Sequence, residues 1–500
     1  MPRIEQIEDF DTIKQAALLL EKENARLHKR LQALLSENAA LRGEEGQKQY
    51  ELELVRLQEQ LNAMQRKMFG TSTERRPKGE NKKKDKEKAT PPSGRREQKS
   101  LPFEEVIHRL DDADCVCAEC GKELRAWEGQ TEDSEEIDVI LRSFVIKKHC
   151  KQKYRCECGA APVTAPGPLR LPGGGLYSIN FAIEVAISKY WLHVPLERQV
   201  RDMMRSGLDM STSTLWDQLE KLARLLGVSY EALHRYVVGS PLVHADETRW
   251  RLLKNGGKTW WVWSISRHDA VYYHLNPSRG HEVVVELLDD FDGVIMVDDY
   301  SAYQAARKLL PNAILVLCWA HVRRRFVSAA TSYPECDEAL ELIDELFAIE
   351  RDLPNWQVIT DPKLRANALV QIQETREERS KPIIAKLLKW ALAQKSLPGS
   401  TLRNALEYMT SNWADLIRFV VEPRAPMSNN AAERTMRGPV VGRKNHLGSK
   451  SQRGTQVAAL FYSLIESAKL SGKDPAAYLR AAVEAAITRG QPLLPHEMGS

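Results

Sequence analysis

The sequence predicts a multidomain α/β protein with a mixed β-sheet in its second half. Its 500 residues exceed what one hydrophobic core usually serves, so we expect three or more domains. From residue 240 onward, short apolar runs alternate with helical patterns, as strands and helices do in an α/β sheet. The chain is 43% hydrophobic, which is enough to build cores, and its net charge of +4 does not by itself indicate a partner.

Neither a membrane segment nor a secretion signal is predicted. No apolar run reaches the roughly 18 residues that a membrane span needs, and the N-terminal stretch MPRIEQIEDFDTIKQ has no apolar core. Six of the eight cysteines lie between residues 115 and 158, which in such a chain favours metal binding over disulfides. We therefore expect a cytoplasmic protein without membrane contact.

Residues 1–70 carry the pattern of a leucine zipper. Four leucines recur every seventh residue at the d position of a heptad: Leu20, Leu27, Leu34 and Leu41. Asn24 and Asn38 fall at a positions, where asparagine costs stability but selects a parallel register. The pattern predicts a coiled coil that joins protomers into a homodimer or a higher multimer. The alternative is a single amphipathic helix that packs on its own protein.

Residues 71–100 are rich in Lys and Arg and almost devoid of apolar side chains, which predicts a disordered basic linker. Residues 101–172 form a cysteine-rich module. We expect one structural Zn²⁺ there, bound by the pairs Cys117/Cys120 and Cys156/Cys158. The second pair has C-x-C spacing, so another nearby side chain is an alternative ligand: Cys115, His149 or Cys150. A cluster of reduced cysteines without metal is the other interpretation.

Residues 173–235 predict a helix-turn-helix domain that binds DNA. PLERQVRDMM reads as one helix, the turn contains Gly207, and STSTLWDQLEKLARLLG reads as a recognition helix that ends at Gly227. Ser213, Thr214 and Gln218 in its first turns suit contacts to base edges or phosphates. A helical hairpin that only packs is the alternative.

Residues 236–330 predict three strands, a helix, a strand, a helix and a fifth strand, which is the order of an RNase H-like core. Residues 331–420 are helical and charged, like an insertion into that core. The core resumes over residues 421–446 with a helix that carries Glu433 and is capped by Ser428 or Asn429. Residues 447–500 form a C-terminal helical region.

Three carboxylates fall where this topology brings distant segments together. Asp246 is expected to end the first strand, Asp298 ends the fourth, and Glu433 lies on the late helix. Carboxylate oxygens suit Mg²⁺ or Mn²⁺, and a pair of such ions supports in-line displacement at phosphorus. Asp298 and Asp299 must point to opposite faces because strand side chains alternate, but the pattern alone does not say which one faces the site.

The chain resembles the long DDE transposase of the insertion-sequence sixty-six family. The resemblance covers nearly the whole chain and rests on seven ordered motifs: CAECG, SKYWLHVPLERQ, HADETRW, VDDYSAY, CWAHVRRRF, SNNAAERTMR and KNHLGSKSQRGTQVAALFYSLIESAKLSGKDPAAYLR. It implies metal-dependent DNA cleavage and strand transfer by Asp246, Asp298 and Glu433. It also implies that the DNA partners are terminal inverted repeats and target DNA, and that two small accessory proteins of the same element take part. The family usually has glycine where this chain has Asp299.

Further polar residues near these motifs are candidates for catalysis or DNA contact. Cys318 and His321 form a Cys-x-x-His signature, and His321 is either an assistant to the reaction or a structural histidine. Lys444, Asn445 and Arg453 are expected in a glycine-rich loop. The predicted DNA contacts around the site are Arg323, Arg324, Arg434, Arg437, Lys444, Asn445 and Arg453. The alternative is a basic surface that contacts only solvent, which would have the same sequence pattern.

Two other classes of function are compatible with parts of the pattern. A DNA-binding regulator built on an inactive transposase core would not need Asp246, Asp298 and Glu433 to be intact, so their presence argues against it. A structure-selective nuclease of the same fold would have little use for a zipper and a zinc module. We therefore expect a transposase that associates with the nucleoid when it is bound to DNA.

Overall fold

The computed structural model describes residues 143–154, 163–253 and 258–499. The predicted zipper, the predicted linker and the predicted zinc ligands Cys117, Cys120, Cys156 and Cys158 lie outside these residues. The described part is a mixed α/β structure with one five-stranded sheet and many helices. None of its helices is both long enough and apolar enough to pass through a membrane.

The described chain begins with a small exposed ladder and three helices. Strand β1 (Lys153–Tyr154) pairs antiparallel with β2 (Val163–Thr164). The helices are α1 (Ile179–Tyr190), α2 (Leu196–Arg205) and α3 (Thr212–Val238). Ser178 and Ser211 cap α1 and α3, since each hydroxyl accepts a hydrogen bond from a backbone N–H of the first turn.

The predicted end of α3 at Gly227 is wrong, because the helix continues through this glycine to Val238. Leu226, Leu233 and Val237 are fully buried and extend the apolar face of the helix past the glycine. Burying these side chains outweighs the cost of about 1 kcal/mol that glycine adds in a helix interior. Periodicity past the glycine, rather than the glycine itself, fixes the helix length.

The sheet has the strand order β5-β4-β3-β6-β7. Its strands are β3 (Leu242–Leu252), β4 (Lys258–Ser266), β5 (Val271–Asn276), β6 (Val294–Val297) and β7 (Ile314–Leu317). The pairs β3/β4 and β4/β5 are antiparallel, whereas β3/β6 and β6/β7 are parallel. The prediction that the first and fourth strands of the sheet are neighbours is confirmed. The connecting helices are α4 (His281–Leu287) and α5 (Ser301–Ala306), and α6 (Trp319–Ala329) follows β7.

The predicted end of β3 at Asp246 is wrong, because the strand runs on to Leu252. Strand β4 pairs with the extension, from Glu247↔Trp263 out to Leu252↔Lys258. Strand β6 pairs with β3 only over Leu242–His244, so the outer parts of β3 and β4 project beyond β6 as an arm, in which β5 still pairs with β4 as far as Trp261. Asp246 therefore lies at the base of this arm.

Residues 336–421 are helical, as predicted for the insertion. The helices are α7 (Cys336–Asp352), α8 (Pro362–Thr375), α9 (Lys381–Ala393), α10 (Thr401–Ser411), α11 (Trp413–Leu416) and α12 (Arg418–Val421). A 3₁₀ turn (Trp356–Val358) and a π-helical turn (Arg376–Ser380) complete the region. Arg376 is buried and pairs with Glu350 at 2.7 Å, which ties the π-helical turn to α7.

Four helices and a 3₁₀ turn follow the insertion: α13 (Asn430–Thr435), α14 (Arg437–His446), α15 (Gln452–Leu470), α16 (Pro475–Arg489) and Pro495–Glu497. Lys444 and Asn445 lie on α14 and Arg453 lies in the first turn of α15, so the predicted loop is wrong for these three. Helix α15 covers the sheet edge at β5, where Ser463 and Ser467 accept hydrogen bonds from the N–H groups of Tyr273 and Val271 at 2.8 and 2.9 Å.

Candidate active site

The parallel pairing of β3 with β6 brings two of the predicted carboxylates to one level of the sheet. His244 pairs with Met296, so the register two residues further on sets Asp246 beside Asp298. Burial, together with the nearby carboxylates of Glu247, Asp298 and Glu433, raises the pKa of Asp246 to about 7, and one backbone hydrogen bond opposes this rise. Asp298 and Glu433 therefore lie near enough to Asp246 to act on its charge, and we call these three residues the acidic cluster.

Asp298 and Asp299 face different parts of the molecule. Asp298 accepts a hydrogen bond from the N–H of Tyr300 at 3.2 Å and lies close enough to Asp246 to perturb its pKa. Asp299 is hydrogen-bonded to Asn412 of the insertion, with Asp415 nearby. Burial raises the pKa of Asp299, and the bond to Asn412 opposes that effect. The alternation predicted from the strand is present, with Asp298 on the side of Asp246.

Glu433 is held by side chains from the first turns of α6. Its Oε1 lies 3.5 Å from Nη2 of Arg324 and 3.8 Å from Nε2 of His321. Burial lowers the pKa of His321, and Arg324 lowers it further against the opposing charges of Asp298 and Glu433. His321 is therefore neutral at pH 7. Its Nδ1 is buried and has no hydrogen-bond partner among the described residues.

A buried asparagine connects the three segments that carry these residues. Asn429 is 2% exposed, its Nδ2 donates to the carbonyl of Ala245 at 2.8 Å, and its Oδ1 lies 3.0 Å from Nδ1 of His244. Its backbone N–H donates to Sγ of Cys318 at 3.1 Å. Asn429 is the N-cap residue of α13, as predicted, but its side chain makes no capping hydrogen bond and is turned to β3 instead. Asn429 sets α13, and with it Glu433, against β3.

Asn429→Ala should lower the free energy of unfolding by about 2–4 kcal/mol, because a buried carbonyl and a buried imidazole nitrogen lose their partner. Urea unfolding at pH 7 measures this loss. Asn404→Ala is the matched control, because Asn404 is exposed on α10 and its removal should change stability by at most about 0.5 kcal/mol. Equal stability of the two variants would contradict a linking role for Asn429.

Sequence reasoning missed a fourth carboxylate beside the cluster. Glu247 is buried, accepts a hydrogen bond from the hydroxyl of Tyr303 at 2.9 Å and pairs with Arg279 at 2.6 Å. Burial and the charge of Asp298 raise its pKa, and these two partners lower it. The adjacent acidic letters in HADET were the available signal, but strand alternation assigns Glu247 to the face opposite Asp246.

Comparison with known families shows to which family the chain belongs. The model of the family described as "Transposase IS66 family" matches residues 174–457, which is more than half of the chain and includes Asp246, Asp298 and Glu433. The chain belongs to this family. An IS66-family assignment supports a transposase role, and it confirms the family resemblance drawn from the motifs.

Three relatives of this IS66-family protein come from Sinorhizobium fredii (strain NBRC 101917 / NGR234). The uncharacterized protein y4jD is 29% identical over 412 residues, which cover 78% of each chain. The uncharacterized protein y4hP is 27% identical over 418 residues, or 77% of this chain and 73% of the relative. The uncharacterized protein y4qI is 28% identical over 519 residues, or 94% of this chain and 93% of the relative.

The basic candidates of this transposase divide into paired and exposed side chains. Arg323 binds Asp344 with two hydrogen bonds of 2.6 and 3.1 Å, and Arg453 pairs with Glu220 of α3 at 2.9 Å. Four candidates are exposed on α13 and α14: Arg434, Arg437, Lys444 and Asn445. The second set is therefore accessible at the surface, whereas Arg323 and Arg453 would first have to leave the ion pairs that the structure shows.

The predicted DNA contacts on α3 divide into exposed and buried side chains. Ser213 is exposed and Thr214 is partly exposed, and both hydroxyls lie near Oγ of Ser211, at 2.7 and 2.9 Å. Gln218 is 5% exposed and its amide lies 3.4 Å from the carbonyl of Thr214. A side chain at this depth does not reach a DNA surface, so the prediction that Gln218 contacts DNA is wrong.

Proposed function

We propose that this IS66-family protein is a DDE transposase with an RNase H-like core. It would hydrolyse DNA at the ends of its own mobile element and then join the freed 3′-hydroxyl to target DNA. The observation that carries this proposal is the convergence of Asp246, Asp298 and Glu433 from three distant parts of the chain. The strand order and the family match support it.

A divalent cation fits the charge of this cluster. Burial and three neighbouring carboxylates raise the pKa of Asp246 to about 7, which marks negative charge without a compensating cation beside it. Within the described ranges, no three Asp, Glu, His or Cys side chains are spaced to hold a metal as they stand. Glu433 would therefore have to exchange its contact with Arg324 for the cation.

Asp246, Asp298 and Glu433 would hold Mg²⁺ or Mn²⁺, the hard cations that carboxylate oxygens prefer. When bound, such ions supply an activated oxygen nucleophile and stabilise the leaving oxygen in an in-line displacement. Neutral His321 would accept a proton from the attacking water or hydroxyl. Arg324, once separated from Glu433, would contact the phosphate that is being cut.

The regions around the core would recognise DNA and pair the protomers. The zinc module at 101–172 and the helix-turn-helix at 173–235, with Ser213 and Thr214 on its exposed side, would bind the terminal inverted repeats. The zipper at 1–70 would hold two chains together, because the reaction needs both element ends at once. The exposed residues of α13 and α14 would contact the phosphate backbone near the cut.

Incubating the purified full chain with labelled element ends in Mg²⁺ and in EDTA tests the proposal. Site-specific cleavage followed by joining to target DNA, in Mg²⁺ only, is the expected result. Binding of the ends without cleavage under both conditions would indicate a regulator and overturn the proposal. Cleavage of branched DNA irrespective of the end sequence would indicate a structure-selective nuclease.

The zinc module is tested by metal content. We expect about one Zn²⁺ per chain in protein purified without chelator, because two cysteine pairs supply the four thiolates of a structural site. Cys117→Ser should lose the metal and the binding of element ends. Cys336→Ser is the matched control, because Cys336 is buried in the helical insertion. The zinc content of this variant should be unchanged. Wild-type protein without zinc would contradict the module.

A further inference from the structure

Four side chains outside the acidic cluster form a continuous stack, which we call the arginine–aromatic ladder: Arg249, Trp261, Arg279 and Tyr300. The Cζ of Arg249 lies 5.8 Å from the ring centroid of Trp261. The Cζ of Arg279 lies 4.5 Å from the centroid of Trp261 and 3.6 Å from that of Tyr300. These are cation–π distances, so cationic and aromatic groups alternate along the ladder.

The ladder begins at the acidic cluster and leads away from it. Its inner end is Tyr300, whose N–H donates to Oδ1 of Asp298 at 3.2 Å. Its outer end lies on the projecting arm, where Arg249 of β3 pairs in register with Trp261 of β4. Strand β6 stops at the level of His244, and further out Ser449 pairs with β3 at Leu252. Arg249 and Trp261 share the sheet face of Glu247, opposite Asp246, so DNA held at Asp298 would reach them by passing Tyr300 at the end of β6.

The ladder is anchored from beneath and open at its surface. The carboxylate of Glu247 is 1% exposed and accepts hydrogen bonds from Nε and Nη2 of Arg279 at 3.2 and 2.6 Å. The hydroxyl of Tyr300 donates to the carbonyl of Arg279 at 3.0 Å. The Arg279 side chain is nevertheless 39% exposed, and Trp261 and Tyr300 are both partly exposed. A stack that served only the core would not need this exposure.

We propose that the arginine–aromatic ladder binds an unpaired nucleotide of the DNA, next to the phosphate held at the acidic cluster. Its base would stack on an aromatic face, and Arg249 and Arg279 would contact the flanking phosphates. Aromatic rings and guanidinium groups along one path are the chemistry that recognises single-stranded nucleic acid. The proposal deepens the transposase function above and rests on it for the position of the DNA.

Binding without catalysis tests the ladder. The full chain in EDTA is titrated with a single-stranded thymidine oligonucleotide of about 12 nucleotides, and with the same oligonucleotide in which abasic residues replace the bases. Phosphate contacts elsewhere affect both probes equally, so the ratio of the two Kd values reports on the bases. We expect the abasic probe to bind wild-type protein about tenfold or more weakly, from the loss of stacking.

Trp261→Ala should remove most of this difference, whereas Trp261→Phe, which keeps an aromatic face, should retain it. A wild-type protein that binds both probes equally, or a Trp261→Ala variant with an unchanged ratio, would overturn the proposal. A second measurement needs no variant: an oligonucleotide with photoreactive 5-iodouracil should crosslink wild-type protein at Trp261 or Tyr300. Crosslinks confined to other parts of the chain would equally overturn it.

The outcomes separate the ladder from the transposase proposal. Glu433→Gln should lose cleavage and keep the base-dependent ratio, because the contacts of Glu433 that the structure shows are with His321 and Arg324 and not with the ladder. Metal-dependent cleavage by wild-type protein without base-dependent binding would leave the transposase proposal standing and reject the ladder. Base-dependent binding without any cleavage would leave the ladder standing and reject the transposase proposal.

Discussion

Asp298→Ala should abolish DNA cleavage and strand transfer, whereas the neighbouring change Asp299→Gly should keep most of the activity. Asp298 lies in the acidic cluster with Asp246, and its loss removes a carboxylate from the proposed metal site. We expect a reduction of about a thousandfold or more, which is the scale of losing a group that acts in the transition state. Asp299 is turned to Asn412 of the insertion, so its removal costs only about 1 kcal/mol of stability.

The two variants are matched, because each removes one carboxylate from adjacent positions. Cleavage is measured on labelled element ends in Mg²⁺, and binding of those ends is measured in parallel. Binding should stay near the wild-type level in both variants, since recognition is assigned to other regions. Glu433→Gln should behave like Asp298→Ala. An active Asp298→Ala with an inactive Asp299→Gly would reverse the assignment, and two inactive variants would make Asp299 part of the site.

The order of strands and helices in the core was predictable from local pattern. Short apolar runs bounded by turns specify strands. The connection from β5 through α4 to β6 leaves few possible topologies for a mixed sheet. Asp298 was identifiable because it follows a fully buried strand, where a charged side chain is costly unless it is paired or binds a ligand. The parallel pairing of β3 with β6 then brings Asp246 to it.

Features that depend on distant contacts were not predictable. The length of β3 depends on its pairing with β4, and the continuation of α3 past Gly227 depends on burial of its far end. Asn429 looked like a helix cap because its local sequence fits one, but its partners lie on β3, more than 180 residues away. No local pattern encodes such a contact, so only the assembled fold reveals it.

Asp246→Asn should raise the stability of the protein while it abolishes cleavage. The pKa of Asp246 is about 7 in the folded protein, against an ordinary value of 3.8. The folded state therefore holds the proton more tightly than the unfolded state, and ionisation destabilises the fold progressively between about pH 4 and pH 7. Above pH 7 the penalty is fully present. At about 1.4 kcal/mol for each pKa unit, and allowing for partial exposure, it amounts to about 2–4 kcal/mol.

Thermal and urea unfolding at pH 5 and pH 8 measure this effect. Asp246→Asn should be more stable than wild type at pH 8, and the gap should shrink at pH 5, where the wild-type carboxyl is already protonated. The exposed Asp209 provides the control, since Asp209→Asn should show no such pH-dependent gap. Mg²⁺ should stabilise wild type at pH 8 and have less effect on Asp246→Asn, because the cation would neutralise the charge that the amide lacks. A variant less stable than wild type at pH 8 would mean that the carboxylate of Asp246 already has a compensating partner, and the cluster would then have no need of a cation.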